Sequence, residues 1–312
     1  MGEALALLSL LLFSTNVLVV KVASQRLGQD VGFLLALGSN VVFAALLFSR
    51  ERLVATDPFV VEWDASAAFA IGGLFTTYLG RRLFFRSVHT IGPSRAAALQ
   101  ITNPVFAALI GWLLLGESLG STGMLFVLLV IGGLYLTSWV PTRAPAPVPA
   151  AAGDMPPAAS APKGTALPRR EIVVALAGAL SYAIGNVIRS SAVRDWDEAV
   201  FGGLLGALCA TVVYLLVHTD LRRLAQRLHS APRSGVWLWG LSGVLTISAQ
   251  ISLIASTRSI PVAVAVVVAA AIPIVVVPAS VVLFRNTEGV TGRTVAGIVL
   301  IFAGVGGLIL LI

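Results

Sequence analysis

The chain has 312 residues, of which 57% are hydrophobic and only 11% are charged, and its mean hydropathy is +0.95. Charged residues make up about a quarter of an ordinary soluble domain, so this composition excludes a water-soluble globule and indicates a polytopic membrane protein. The net charge of +7 comes from basic residues in short loops beside apolar segments, which favours retention of those loops in the cytoplasm over nucleic-acid binding.

Ten apolar stretches are long enough to cross a bilayer, which takes about 20 apolar helical residues. We predict ten spans in chain order, near residues 3–22, 31–49, 65–88, 93–114, 121–140, 171–190, 198–218, 236–257, 261–284 and 292–312. The first is expected to be a span and not a cleavable signal peptide. Glu3 stands where a basic region would be needed, and the apolar run is too long.

A Pro- and Ala-rich segment separates spans 5 and 6. Residues 141–170 hold eight of the 15 prolines, which predicts a flexible or polyproline-like linker. The chain is therefore predicted to consist of a first five-helix unit at 1–140, this linker, and a second five-helix unit at 171–312.

The two units resemble one another. "FSTNVLVV" in span 1 corresponds to "AIGNVIRS" in span 6, and further matches follow in the same order at offsets of 169 to 171 residues. The matched pairs include Asn16 with Asn186, Pro104 with Pro273, Glu117 with Glu288, and Gly133 with Gly304. Because five spans is an odd number, the second copy is predicted to lie upside down, as an inverted repeat. Secondary transporters often have this plan, with the site near the midplane between the copies.

The distribution of basic residues predicts the orientation. Loops on the side of the N-terminus hold five Lys or Arg residues, and the opposite loops hold sixteen. The five are Arg50, Arg52, Arg189, Arg194 and Arg258. By the positive-inside rule the side with sixteen is cytoplasmic. Both termini are then expected outside the plasma (cytoplasmic) membrane.

Several motifs are similar to those of one transporter family. Span 1 holds Phe13, Ser14, Thr15 and Asn16, then Lys21; span 4 starts with "GPSRAAAL", and span 10 reads "GIVLIFAGVGGLIL". With the interval from Pro104 to "GES", these residues resemble the EamA-type transporters of the drug/metabolite transporter superfamily. The resemblance covers essentially the whole chain. It implies ten helices around a central cavity, lined mainly by spans 1, 3, 4, 6, 8 and 9, and transport of small metabolites, often export.

Polar residues recur at equivalent positions in spans 3 and 8. Arg81 pairs with Gln250, and one turn earlier Thr77 pairs with Thr246. A face that is polar in both copies is expected to meet water or ligand, because lipid would penalise it. Arg81 is thus a candidate substrate contact. The alternative is a role in topology, or a hydrogen bond to a backbone carbonyl.

Other polar residues within spans are candidate substrate contacts as well. Pro104 kinks span 4 and frees a carbonyl near Gln100, next to Asn103, and bent helices often surround transport sites. The remaining candidates are Asn16, Asn186, Tyr78 and Tyr182. The alternatives are an interhelical hydrogen bond for each Asn and a packed ring with an interfacial hydroxyl for each Tyr.

The sequence offers little for catalysis, metal binding or ATP hydrolysis. No Asp or Glu lies in the middle of a predicted span, which disfavours proton-coupled export of lipophilic cations. The single Cys209 excludes an internal disulfide, and no phosphate-binding G-x-x-x-x-G-K-[ST] loop is present. "GESLG" matches a nucleophile elbow but falls in a turn between apolar helices. Glu117 in this turn lies near the N-terminus of span 5, where its negative charge is expected to interact favourably with the helix dipole. We expect no catalytic residue, metal or cofactor.

Together these features predict an all-α secondary transporter that needs no ATP and moves a small polar metabolite by alternating access. An amino acid or a related solute, in the export direction, is the first choice. Organic or phosphorylated anions and nucleotide-like solutes are the alternative. A membrane-embedded enzyme acting on lipid-linked substrate is the competing class, but it would need a cluster of Asp, Glu or His. The expected partners are the small solute and the bilayer, without nucleic acid, and a monomer should suffice.

Overall fold

The computed structural model describes residues 1–91, 96, 99–117, 120–138, 169–217, 226–228, 231–284 and 292–311. Throughout these residues the regular structure is helical, without strands. Seven helical segments are long and apolar enough to cross a membrane, which agrees with an integral membrane protein. All but the last two residues of the predicted linker, 141–170, lie outside the described residues.

The helices follow the apolar stretches of the sequence. In chain order they are α1 Gly2–Ala23, α2 Gln29–Val54, α3 Trp63–Gly73, a π-helical segment Leu74–Gly80, α4 Arg81–Ile91, α5 Asn103–Leu115, α6 Ser121–Ser138, α7 Arg169–Asp195, α8 Ala199–Val217, α9 Arg233–Ser256, α10 Val262–Ala270, α11 Pro273–Phe284 and α12 Gly292–Leu311. The seven membrane-length segments are α1, α2, α7, α8, α9, α12, and α10 with the start of α11. The other predicted spans correspond to the shorter α5 and α6 and to α3 and α4, which the π-helical segment separates.

The burial pattern is that of a protein surrounded by hydrocarbon. Many large apolar side chains on the outer faces of the helices are exposed, among them Leu46, Trp112, Leu114, Val299 and Phe302. Contiguous apolar surface of this extent would aggregate a soluble protein, whereas lipid accommodates it. The interior is built largely from small and β-branched residues, such as the uninterrupted buried run of Val and Ala in α10.

Glycines bring α6 and α12 into close contact. A methyl group at Gly133 would lie 2.6 Å from Ile301 Cγ1, and a methyl group at Gly304 would lie 2.6 Å from Val130 Cγ2. As α6 advances from residue 130 to 133, its partner on α12 retreats from 304 to 301. The two helices therefore run antiparallel.

Helices from the two units also interleave around the centre of the molecule. α1 packs against α9, and α7 packs against α3, the π-helical segment and α4. α5 packs against both α7 and α10. Each unit thus supplies part of the other unit's surroundings.

Among the described residues, three ion pairs between the units or within the second unit lie at one end of the bundle. They join Arg52 to Glu198, Arg194 to Glu117, and Arg258 to Asp197. We call this the ion-pair end, where α7 ends and α8 begins. The opposite end, where α6 ends and α7 begins, is the linker end.

Glu117 has a different role from the one expected at the start of span 5. Its carboxylate oxygens lie 3.0 and 2.9 Å from the backbone nitrogen of Val262, which donates to them at the first residue of α10. Arg194 donates to the same carboxylate and to the carbonyl oxygen of Thr257. Glu117 therefore caps a helix of the second unit, because the unpaired N–H groups at a helix start attract negative charge.

The close contact of α6 and α12 can be tested with two adjacent glycines. We expect Gly133→Ala to lower the free energy of unfolding by about 1–3 kcal/mol, because its methyl group would overlap Ile301. Gly132→Ala is the matched control, since nothing lies within 4 Å of a methyl group there. Thermal unfolding in detergent measures both. Equal midpoints for the two variants would contradict this packing.

Candidate functional site

A cavity of about 680 Å³ lies between the two units. Its polar lining comes from α1, the π-helical segment, α4, the start of α5, α6, α7 and α9. The polar lining residues are Asn16, Thr76, Thr77, Arg81, Gln100, Asn103, Thr137, Tyr182, Asn186, Arg189, Ser242 and Gln250.

Most of the candidate residues predicted from sequence come together in this cavity. Eight of the ten line it, namely Asn16, Thr77, Arg81, Gln100, Asn103, Tyr182, Asn186 and Gln250. Spans 3 and 8 are also in direct contact, since Thr77 Oγ1 donates to Gln250 Oε1 at 3.3 Å. Asn16 Oδ1 accepts a hydrogen bond of 2.6 Å from Ser242 Oγ, which joins α1 to α9.

The other two candidates, Tyr78 and Thr246, do not line the cavity. Tyr78 packs with a cluster that includes Val31 and Leu37, and its hydroxyl accepts a hydrogen bond of 2.6 Å from Arg82. Thr246 is buried and donates to the carbonyl oxygen of Ser242. A helical Thr can satisfy its hydroxyl on the preceding turn, so its polarity does not require a wet face.

The π-helical segment changes which residues face the cavity. A π turn is wider than an α turn, and the neighbouring residues Thr76 and Thr77 both line the cavity. The i, i+4 spacing used to predict the polar face identified Thr77 alone. Thr76 donates to the carbonyl oxygen of Gly72 at 3.0 Å and is thereby held in place.

Arg189 is a charged residue of the cavity wall that the sequence analysis did not select as a candidate. It lies one residue before the predicted end of span 6 at residue 190 and was counted with the basic residues of the following loop, but α7 continues to Asp195. Arg189 is only 3% exposed and lies at the cavity wall. The available signal was its spacing, since Tyr182, Asn186 and Arg189 follow at i, i+4 and i+7 on one helical face.

The guanidinium of Arg189 contacts only neutral acceptors. Nη2 donates to Thr76 Oγ1 at 2.6 Å and to Asn186 Oδ1 at 3.3 Å, and Nη1 donates to Gln250 Oε1 at 3.1 Å. Nε donates to the carbonyl oxygen of Gly185 at 3.4 Å. A guanidinium has five N–H groups, so one N–H on Nη1 has no acceptor among the described residues.

Glycines make room for the Arg189 side chain. A methyl group at Gly72 would lie 2.6 Å from Arg189 Cγ, and one at Gly185 would lie 2.5 Å from the carbonyl oxygen of Gly72. The absence of side chains at these two positions lets α3 and α7 approach closely. Arg189 extends through the resulting gap towards Gln250 of α9.

The electrostatic character of the cavity is positive. Arg81 is its second cation, and the Arg81 guanidinium carbon lies 5.1 Å from the centre of the Phe33 ring. Within the described lining there is no Asp, Glu, Lys or His. Nor do the described parts of the chain bring together three or more His, Cys, Asp or Glu side chains as a metal site would need.

The rest of the wall is apolar. Phe13, Val17 and Val20 of α1 face the cavity together with Phe33, Trp239 and Leu253. An isolated amide oxygen, Asn103 Oδ1, has no hydrogen-bond partner among the described residues. The site therefore combines a polar, positively charged region with a large apolar region, as binding pockets for small molecules commonly do.

The contact between Thr76 and Arg189 can be tested by removing one hydroxyl. We expect Thr76→Val to cost about 1–3 kcal/mol of unfolding free energy, because it leaves a buried N–H of Arg189 without an acceptor. Thr246→Val is the control, since that equally buried hydroxyl bonds only to a carbonyl of its own helix. Thermal unfolding of both variants should separate them, and equal losses would contradict the contact.

Comparison with known proteins agrees with this architecture. The family model described as the EamA-like transporter family matches residues 1–139 and, separately, residues 169–310. A solved crystal structure matches with a TM-score of 0.70 and 19% identity, over 100% of this chain and 99% of that one; at this identity the likeness concerns the fold alone. No curated protein matches the chain. Since the family model covers nearly all of the described residues, the chain belongs to the EamA-like transporter family, which consists of membrane transporters of the drug/metabolite superfamily.

Proposed function

We propose that this protein is a secondary transporter that moves a small polar metabolite across the plasma membrane by alternating access, in the export direction. The observation that carries the proposal is a cavity between the units, with polar side chains supplied by both. Its volume of about 680 Å³ falls in the range of pockets that enclose small organic ligands, roughly 300–1,000 Å³.

The contacts of α6 and α12 support a ten-span inverted repeat. The sequence offset of 171 residues between Gly133 and Gly304 also relates Val130 to Ile301. It therefore converts the contact of Gly133 with Ile301 into that of Val130 with Gly304. Reciprocal contacts of this kind are characteristic of a two-fold axis. Because the helices run antiparallel, the axis lies across them and the two units have opposite orientations.

Other pairs of packed helices are related by the same exchange of the two units. Span 1 packs against span 8 as α1 on α9, and span 6 packs against span 3 as α7 on α3, the π-helical segment and α4. Exchanging the two units replaces span 1 by span 6 and span 8 by span 3. This exchange converts the first pair of spans into the second. In this arrangement the cavity lies at the seam between the copies, as expected for an inverted-repeat transporter.

The lining favours zwitterionic and anionic solutes. Two arginines and no acid are present in the described lining, so a solute with a net positive charge would be repelled. Amino acids and related metabolites remain the first choice. Arg189 specifically favours the second candidate, organic or phosphorylated anions, because its charge has no carboxylate partner among the described residues.

The cavity lining extends towards the linker end. Its lining includes Val20 near the end of α1, Phe33 near the start of α2 and Thr137 near the end of α6, all at that end. At the other end, Glu117 connects Arg194 to the start of α10. Without the two cavity residues Arg189 and Arg81, four basic residues belong to the ion-pair side and fifteen to the linker side, from the earlier five and sixteen. By the positive-inside rule the linker end is then cytoplasmic, and this conformation would load from the cytoplasm.

Counterflow in proteoliposomes tests the proposed activity. Vesicles preloaded with an unlabelled solute should accumulate the same labelled solute against its gradient, without ATP, for at least one member of a panel of amino acids, carboxylates, nucleotides and amines. Amines are expected to be the weakest group, because the cavity is positively charged. If no solute accumulates while a lipid-derived product appears, the protein is an enzyme and the transport proposal fails.

The alternating-access part can be tested by labelling a cysteine in the cavity. Ala269→Cys, with the single Cys209 changed to Ser, should react with a membrane-impermeant maleimide from the linker end. Adding Glu117→Gln should increase labelling from the ion-pair end at least about threefold, because loss of the charged contact with Arg194 weakens that closure.

Arg258→Gln is the matched control for Glu117→Gln. It breaks an ion pair at the same end whose partners are 40% and 59% exposed, and such surface pairs contribute little. Labelling in this variant should equal that of the parent. A similar increase in both variants, or none in either, would count against Glu117 as part of the closure.

A further inference from the structure

We infer that Arg189 binds an anionic group of the transported solute, and that the substrates are small carboxylates with an apolar body. This inference rests on the proposed transport function and narrows its substrate class. It depends on the surroundings of a single side chain, which join α7 to the π-helical segment and α9.

The charge of Arg189 has no counter-charge among its hydrogen-bond partners. Arg189 is only 3% exposed, and the acceptors of its hydrogen bonds among the described residues are hydroxyl, amide and carbonyl oxygens. A guanidinium stays protonated in proteins, so it cannot avoid the cost of burial by losing its proton. A buried charge without a counter-charge is costly. A bound anion would supply the missing charge.

A structural role, joining three helices, does not require a charge on residue 189. Thr76 Oγ1 and Gln250 Oε1 are neutral acceptors, so a hydrogen bond from a neutral donor would satisfy them without burying a charge. The positive charge is therefore unnecessary for joining the three helices. The glycines at 72 and 185 further show that space is reserved for a long side chain at this point.

Arg189 lies where a solute in the cavity can reach it. Arg189 and Gln250 both line the cavity, and each lies six residues before the end of its helix, Asp195 and Ser256. At about 1.5 Å per residue this is about 9 Å from the ion-pair end. A solute that enters from the linker end therefore meets Arg189 at the inner end of the cavity. The unpaired N–H on Nη1 is a donor for a carboxylate oxygen.

The apolar wall defines the rest of the ligand. Phe13, Phe33 and Trp239 line the cavity on the linker-end side of Arg189. A carboxylate bound to Arg189 would leave its aliphatic or aromatic portion among these rings, where burial of apolar area is favourable. The Arg81 guanidinium already contacts the Phe33 ring. It adds positive potential to the cavity without closing it.

Matched acids and amides test the charge requirement directly. The probes are 4-methylpentanoate, phenylacetate, leucine and phenylalanine, each paired with its amide, and binding to the purified protein is measured by calorimetry and thermal shift. At least one acid should bind, and its amide should bind at least about tenfold more weakly, because the amide has no negative charge for Arg189. If no acid binds, or if acid and amide bind equally, the inference is wrong.

The decisive variant is Gln250→Glu, which keeps the size of the side chain and its contacts with Arg189 and Thr77. The new carboxylate would neutralise Arg189 from within the protein. We expect a higher unfolding temperature without ligand and at least about tenfold weaker binding of the acids. If Arg189 were only structural, the variant would gain stability and keep its acid binding. Arg86→Gln removes an exposed cation instead and should change neither quantity.

Counterflow of the same probes separates this inference from the transport proposal. If acids bind to the parent but not to Gln250→Glu, and none is transported, the binding site stands and the transport proposal fails. If acids and amides are transported at equal rates, the transport proposal stands and the role of Arg189 in recognition fails.

Discussion

A guanidinium enclosed by neutral acceptors is the interaction on which the central structure depends. Arg189 of α7 donates to Thr76 of the π-helical segment and to Gln250 of α9, so one side chain joins both units at the inner end of the cavity. Charge burial in a membrane is costly, and residues that bear it usually serve a function. The same contacts therefore hold the helices together and give the cavity its positive character.

Local backbone choices make this interaction possible. Gly72 and Gly185 leave the gap through which Arg189 passes, and the wider turn of the π-helical segment brings Thr76 to the cavity beside Thr77. π-Helical turns often occur at functional sites for this reason. At the ion-pair end, Glu117 caps α10 and binds Arg194, so a single carboxylate connects loops of both units. Helix packing and the proposed closure and recognition thus share a few residues.

Hydropathy predicted the membrane-spanning helices, and the polar residues within them predicted much of the cavity lining. Asn16, Asn186 and Gln250 were found because polar residues inside apolar helices are rare and recur in both units. Arg189 was missed because a charge next to the predicted end of a span is read as part of the loop, although the helix continues to Asp195. Thr76 was missed because an α-helical period does not describe a π turn. Thr246 was included because side-chain polarity alone does not reveal a bond to the preceding turn.

The two copies differ at Arg189. The offset of 170 residues that pairs Asn16 with Asn186 pairs Val19 with Arg189. We expect the charge of Arg189, which has no equivalent at Val19, to attract an anion. Anomalous diffraction from crystals soaked in sodium bromide measures this directly. We predict a bromide peak in contact with the Arg189 guanidinium in the parent protein and none there in Gln250→Glu. Bromide found only at surface arginines of the parent would contradict the claim.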